Sequence, residues 1–280
     1  MLSSYILSLR EGLEAALIIG ILLSAVRQVH QRELASAIWA GAGVAALLSL
    51  LAAVLLTRLG FVLKDPAEAI FEGITMLLAA GILTWMIFWM NRHSRNMKAD
   101  LESSVQNASR GGKSSLFGLA FISVLREGVE LALFVTAAAF SSSSGQTLLG
   151  ALLGLGTAVL LGWSFFATTV RLDLRRFFMV TGFLLLLFSA GLVARAAGEF
   201  VLVGWLPALI GHAWDLSGVI SAESGLGQIL GALFGYSPDP SLMQVLASLA
   251  YFGIVLFVLW LAGHRQSRSI SLPQNNGNHI

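Results

Sequence analysis

The chain has 280 residues, of which 56% are hydrophobic and 11% are charged, and its formal net charge is +2. Ordinary soluble domains carry about 25% charged residues, so this composition, with a mean hydropathy of +0.81, excludes a soluble globular domain. The sequence has no cysteine, which excludes disulfide frameworks, thiolate metal ligands and redox-active dithiols.

Long apolar runs predict an all-α integral membrane protein with seven transmembrane helices. Each run has about twenty residues or more, enough to cross a hydrocarbon core about 30 Å thick. The predicted spans are residues 4–26, 35–57, 67–90, 115–140, 146–170, 177–197 and 243–263. They belong to one transmembrane domain, residues 1–263, which includes an outer loop over 198–242. A polar, disordered cytoplasmic tail over 264–280 follows it.

Basic residues predict the orientation of these spans. Most Lys and Arg residues lie in the 1–2, 3–4 and 5–6 loops and in the tail, whereas Arg58, Lys64 and Arg195 lie on the other side. Cytoplasmic loops carry an excess of Lys and Arg. We therefore expect the N-terminus outside and the C-terminus in the cytoplasm.

The sequence also contains an internal repeat. "REGLE" at 10–14 recurs as "REGVE" at 126–130, Gly41-Ala-Gly43 as Gly154-Leu-Gly156, Arg58-Leu59 as Arg171-Leu172, and Ala80-Gly81 as Ala190-Gly191. The echoes occur in the same order, which predicts a duplication with repeat 1 over about 1–92 and repeat 2 over about 113–197. Because three spans are an odd number, the second copy enters from the opposite side. Two inverted-topology three-helix repeats plus a seventh helix are a frequent transporter design, with the site near the midplane.

The repeated motifs place charges inside apolar helices. A charge at a helix centre costs about 2.5–3.5 kcal/mol on insertion scales, and such residues usually serve function. Side chains three or four apart share a helix face, so Glu11 and Glu14 point the same way, and Arg10 can neutralise Glu14. The second motif repeats this arrangement with Arg126, Glu127 and Glu130. In each motif the remaining glutamate needs another partner.

Small residues follow each motif at intervals of four, at Gly12, Ala16 and Gly20 and at Gly128, Ala132 and Thr136. Such faces allow close helix packing, and we expect span 1 to pack on span 4 and to gather four carboxylates near the midplane. Oxygen ligands without sulfur suit Mg, Ca, Mn or iron. The alternative, that each motif is only an intrahelical ion pair that holds the bundle together, leaves its duplication unexplained.

Span 3 and the outer loop contain further acids. Asp65, Pro66 and Glu68 resemble a capping box, so Glu68 is a weaker site candidate. Glu72 lies one turn deeper in the apolar run, which indicates a carboxylate on the outer route to the site or beside it. Asp215 in the outer loop is another weaker candidate for the same vestibule.

The "REGLE" and "REGVE" motifs resemble the REXXE motifs of the high-affinity iron permeases, which include bacterial EfeU-type inner-membrane transporters. The likeness extends through residues 71–102 and 233–241. It implies iron uptake across the bacterial cytoplasmic membrane, with iron as substrate and no permanently bound cofactor. It also implies roles as iron-handling carboxylates for Glu11, Glu14, Glu127 and Glu130, with Arg10 and Arg126 beside them, and Glu72 matches a glutamate of relatives. The implied partners are a periplasmic cupredoxin-like or M75 peptidase-like protein and a DyP-type haem peroxidase.

Two other functions stay open from the residues alone. A Mn²⁺ or general divalent-cation carrier is one, because oxygen ligands do not separate these metals. A membrane-embedded di-metal carboxylate enzyme is the other. It is disfavoured, because ferritin-like di-iron sites use Glu-x-x-His motifs and both motifs here have Glu in place of His.

Overall fold

The computed structural model describes residues 1–28, 32–93, 112–140, 143–167, 174–207, 209–211, 213–216, 218–221 and 224–269. Within these ranges the chain forms eight α-helices and no strand. The helices are α1 Leu2–Gln28, α2 Ala35–Val62, α3 Ala67–His93, α4 Gly112–Phe140, α5 Ser144–Ala167, α6 Leu174–Leu202, α7 Gly225–Phe234 and α8 Leu242–Ser269. The predicted all-helical class is confirmed.

Five helices are long and apolar enough to cross a membrane. Their apolar segments are Ala35–Gly60 in α2, Ala67–Trp89 in α3, Ser144–Ser164 in α5, Arg176–Leu202 in α6 and Leu242–Leu261 in α8. The remaining long helices, α1 and α4, are of similar length but each contains one arginine and two glutamates of the repeated motif. These charges separate α1 and α4 from the other five in composition.

The predicted outer loop is partly helical. Helix α6 continues to Leu202, and the short helix α7 follows within the loop. The Ser224 side chain accepts a hydrogen bond from the Gly227 N–H at the start of α7, and Gly235 ends the helix with φ of 65°. Helix α8 continues to Ser269, so the first residues of the tail, which were predicted to be disordered, are helical. The rest of the tail lies outside the described residues.

The helices pack in pairs around a shared core. Helix α2 packs on α4, α1 on α5 and α3 on α6, while α1 and α4 also contact each other. The largest buried cluster combines side chains of α1, α3, α4 and α6, such as Leu7, Met76, Phe134 and Leu192. By contrast, α2, α5 and α8 expose many large apolar side chains, as expected for helices that face lipid.

Glycines bring the paired helices into close contact. A Cβ added to Gly41 would meet the Phe117 carbonyl, and one added to Gly154 would meet the carbonyl of Tyr5 and approach the Leu9 nitrogen to 2.9 Å. Backbone therefore packs directly on backbone in the α2–α4 and α1–α5 pairs, as small residues permit in membrane helices.

The small-residue face of α1 does not pack where the sequence predicted. A Cβ on Gly12 would lie 2.7 Å from that of Ala158, and one on Gly162 would lie 2.8 Å from that of Ala16. The face therefore packs on α5, so the prediction that this face packs on the fourth span is wrong, although α1 does contact α4 as predicted. Successive helix positions are rotated by about 100°, so Gly12 and Glu11 point to different neighbouring helices.

Two glycines of α5 provide a matched stability test. Gly154→Ala should lower the free energy of unfolding by about 1–3 kcal/mol, because the added methyl overpacks the contact with α1. Gly156→Ala should leave it unchanged or raise it by up to about 1 kcal/mol, because Ala is the better helix former and nothing lies within 4 Å of the added Cβ. Thermal unfolding of both variants in the same detergent measures the difference, and equal stability would contradict the close α1–α5 contact.

Candidate metal centre

The contact between α1 and α4 brings the two motifs together. Glu11, Glu14 and Glu127 each offer one carboxylate oxygen, and these three oxygens lie within 4.8 Å of one another. Glu11 and Glu127 are buried and Glu14 is nearly so. Both helices therefore contribute to one compact group of carboxylates, which we call the carboxylate triad.

Arg10 is fully buried beside this triad. Its Nη1 donates to Glu11 Oε1 at 2.9 Å, and its Nη2 lies 3.0 Å from Glu14 Oε1. Nη1 also lies 3.2 Å from the Met86 sulfur on α3. The predicted Arg10–Glu14 pair is present, but the prediction that Glu11 is left to find another partner is wrong. One guanidinium serves both carboxylates because its planar fork carries five N–H groups.

The second motif makes a different set of contacts. Arg126 Nε donates to Glu130 Oε1 at 3.0 Å, as the spacing predicted. The Arg126 guanidinium also stacks over Trp89 of α3, with 5.4 Å from its central carbon to the ring centroid. Its side chain is 42% exposed, whereas that of Arg10 is 0% exposed. Equivalent arginines therefore occupy unequal environments.

Several carboxylate oxygens at this centre have no hydrogen-bond partner in the part of the chain that the structure describes. Oε2 of Glu11, Glu127 and Glu130 are buried without a hydrogen-bond partner among the described residues. Buried polar atoms are normally satisfied, and buried charges are paired or coordinate metal ions. When all groups are ionised, the triad and Arg10 together carry two negative charges. The chemistry of these donors fits a hard divalent cation.

The motif glycines explain how the glutamates come to face one another. Gly12 packs against Ala158 of α5, and Gly128 packs against Ser49 of α2. At each glycine the helix packs closely on a neighbour, α1 on α5 and α4 on α2, on a side that points away from the α1–α4 contact. The glutamates on the adjacent faces are thereby turned toward each other, which neither helix alone determines.

Glu72 lies apart from the triad in a second acidic region. It is half-buried in α3, and Glu199 of α6, Glu68 and Asp65 are close enough to interact with it electrostatically. Sequence reasoning missed Glu199 because span 6 was predicted to end at residue 197. Helix α6 continues past it to Leu202.

The two weaker candidates, Glu68 and Asp215, lie at the start of α3 and in the segment that follows α6. Glu68 lies in the first turn of α3, where the N–H groups of Ala67 and Glu68 donate to the Lys64 carbonyl. Helix α3 begins at Ala67, so Asp65 and Pro66 precede it, and Glu68 is its second residue rather than the third, where a capping box has its glutamate. Asp215 is exposed in the segment between α6 and α7.

A cavity of about 1230 Å³ lies at the N-terminal end of α1, and the first turn of α1 contributes to its lining. Its lining includes Ser4 and Tyr5 of α1, Arg195 and Glu199 of α6, and Gln244 of α8. The acidic region around Glu72 therefore borders this cavity through Glu199. The first residues of α1 and the last turns of α6 meet at this end of the molecule.

Comparison with known proteins gives one consistent group of relatives. The model of the iron permease FTR1 family matches residues 1–268. The ferrous iron permease EfeU of Escherichia coli O6:K15:H31 is 36% identical over 276 residues, which cover 96% of this chain and 100% of that protein. The ferrous iron permease EfeU of Yersinia pestis is 33% identical over 264 residues, covering 92% and 94%. No solved structure matches the chain.

The unequal arginines predict unequal stability losses. Arg10→Met should destabilise the protein by about 3–5 kcal/mol, because it leaves buried carboxylates without their cation. Arg126→Met should cost less, about 1–2 kcal/mol, because Arg126 is 42% exposed although Glu130 is buried, and a solvent-screened ion pair and a cation–π contact are each worth little. Thermal unfolding of both variants in detergent tests the comparison, and similar losses would contradict the difference in burial.

Proposed function

The chain belongs to the iron permease FTR1 family, and on that premise we propose that it takes up ferrous iron as a secondary permease. The family consists of permeases, so the chain is a transporter rather than an enzyme. With its five apolar helices it is a multi-pass inner-membrane protein. In the proposed mechanism, iron passes a midplane site made by Glu11, Glu14, Glu127 and Glu130.

The observation that carries this proposal is the buried carboxylate triad with its unpartnered oxygens. Two excess negative charges match the charge of one divalent cation. A bound cation would satisfy the orphaned oxygens of Glu11 and Glu127, and Arg10 keeps the empty site from accumulating a larger negative charge. The relatives are named ferrous iron permeases, which selects iron from the cations that oxygen ligands accept.

We also propose that α1–α3 and α4–α6 are inverted repeats, and that α1, α4 and the five apolar helices make seven spans. The helix pairing supports this, because α1 packs on α5 as α4 packs on α2. The glycine contacts agree in detail. Gly12 meets Ala158 and Gly128 meets Ser49, so equivalent motif glycines contact equivalent second helices.

These contacts imply a different alignment of the second helices from that predicted. Gly41 meets the Phe117 carbonyl and Gly150 meets the Met1 carbonyl, and Met1 and Phe117 are separated by the same 116 residues as the motifs. Gly41 therefore corresponds to Gly150 rather than to Gly154. The sequence echo was displaced by four residues, about one helical turn, which keeps the same face of the helix.

The proposed route runs from the cavity toward the cytoplasm. The basic loops favour an external N-terminus and a cytoplasmic C-terminus, which places the cavity on the outer side. We assign Glu72 and Glu199 to collecting cations there, with Glu68 and Asp215 as weaker contributors. The proposed partners, a periplasmic cupredoxin-like or M75 peptidase-like protein and a DyP-type haem peroxidase, would work with the chain at this end as a tripartite uptake system.

Uptake of radiolabelled Fe²⁺ into proteoliposomes tests the site. Glu14→Gln and Glu130→Gln should each lower the saturable flux at least about tenfold, as expected when one charged ligand worth about 1.5–3 kcal/mol is lost. Glu33→Gln, which changes an exposed glutamate in the 1–2 connection, is the matched control and should transport normally.

Competition with Mn²⁺ and Zn²⁺ in the same assay separates an iron permease from a general divalent-cation carrier. Equal competition by all three metals would favour the general carrier. Full flux in both glutamine variants, at normal membrane insertion, would exclude the paired motifs as the transport site.

Glu72→Gln should act differently from Glu14→Gln and Glu130→Gln. If Glu72 collects cations before they reach the triad, its loss should raise the half-saturating iron concentration several-fold and leave the maximal rate nearly unchanged. This follows because removing one charge lowers the local cation concentration. Initial rates across a range of iron concentrations measure both quantities. A lower maximal rate at unchanged half-saturation would place Glu72 in the transport step itself.

A further inference from the structure

Two serines of α1, Ser4 and Ser8, form a row between the cavity and the carboxylate triad. Ser4, Ser8 and Glu11 follow one another at intervals of four and three along α1, so they share one face of the helix. Ser4 lines the cavity. At a rise of about 1.5 Å per residue, Ser4 and Glu11 are about 10 Å apart along the helix axis, with Ser8 between them.

Ser8 is the unusual member of this row. It is 0% exposed, and its hydroxyl has no hydrogen-bond partner among the described residues. Buried hydroxyls in membrane helices commonly donate to the carbonyl four residues earlier, as Ser49, Thr136 and Ser189 do here. Ser8 makes no such bond, which leaves its oxygen available one turn above Glu11.

The second motif shows that helix packing does not require these hydroxyls. The positions that precede Glu127 at the same spacing are Ala120 and Val124, and both are buried in apolar clusters. Val124 packs with Ala45 of α2, while Ser8 lies close to Gly154 of α5. Apolar residues thus fill the equivalent face of α4, whereas hydroxyls occupy this face in α1, whose first turn lines the cavity.

We propose that Ser4 and Ser8 form the access path by which a divalent cation leaves the cavity and reaches Glu11. Their hydroxyl oxygens replace water molecules of the hydrated cation in turn, and Ser8 is the last such ligand before the triad. Hard cations accept neutral oxygen donors of this kind alongside carboxylates. The inference rests on the proposed function and names a residue that acts before the glutamates.

The first test removes the Ser8 hydroxyl. Ser8→Ala should lower the initial rate of Fe²⁺ uptake by about fivefold to tenfold, the range expected for one lost polar ligand. Equilibrium binding of Fe²⁺ to the purified full-length protein should stay unchanged, because the carboxylates are intact. Ser189→Ala removes an equally buried serine whose hydroxyl donates to the Leu185 carbonyl, and it should leave the uptake rate within about twofold.

The second test uses the absence of cysteine from the chain. Ser4→Cys and Ser8→Cys should react with a small, membrane-impermeant cationic thiosulfonate added from outside, and excess Mn²⁺ should slow the reaction of Ser8→Cys. Ser189→Cys should stay unreactive. A serine with only a structural role would give neither the labelling nor its protection by a cation.

The outcomes separate this inference from the proposed function. If Ser8→Ala transports normally and Ser8→Cys is unreactive while Glu14→Gln still abolishes flux, the access path is wrong and the triad stands. If Ser8→Ala loses binding together with flux in a protein of normal thermal stability, Ser8 belongs to the binding site and the path is again overturned. If Glu14→Gln also transports normally, the proposed function itself fails.

Discussion

The guanidinium of Arg10 is buried from solvent between two carboxylates of its own helix. The packing of the neighbouring helices depends on keeping this charge paired. An isolated buried charge is prohibitively expensive, and even a paired one needs good geometry and further polar contacts. Arg10 has both, since its Nη1 and Nη2 reach different glutamates and Nη1 also reaches the Met86 sulfur. Helices α1 and α3 must therefore keep a fixed distance at this point, and Glu127 brings α4 into the same centre through the triad.

The apolar helices provide the shielding that this centre requires. Helix α5 covers α1 and helix α2 covers α4, through glycine contacts close enough to bring backbone onto backbone. The outward faces of α2 and α5 are rich in exposed leucine. Helices whose composition alone would make membrane insertion costly are thus interior, and helices with almost no charge form the surface. The two interior helices, α1 and α4, are also the two whose charged motifs distinguish them in composition from the five apolar helices.

Sequence reasoning predicted the part of the site that depends on helix periodicity. Spacings of three and four placed Glu11 with Glu14 and paired Arg126 with Glu130, and the duplicated motif indicated that both helices serve one centre. It missed the Arg10–Glu11 bond, because adjacent residues on a helix rarely face each other and only a long, flexible side chain can bridge them. It also assigned the small-residue face to the wrong neighbour. That choice depends on how α1 is rotated within the bundle, and one helix's periodicity does not contain this information.

Two residues, Glu199 and Ser8, could not be recognised as candidates from the sequence. Glu199 was assigned to a loop because the apolar run weakens before the helix ends, and Ser8 is an ordinary helical residue until its neighbours are known. A serine becomes informative only when its hydroxyl is buried and its usual partner, the carbonyl one turn earlier, is not used.

The environments of Arg10 and Arg126 also could not be predicted from the sequence. Identical motifs predict identical contacts, yet one arginine lies in the core and the other against Trp89. If the halves are inverted repeats around one site, a conformation that opens the site to one side only must place equivalent residues of the two halves in different environments. The cavity lies at one end of α1. The asymmetry of the arginines is therefore what a single conformation of such a transporter requires.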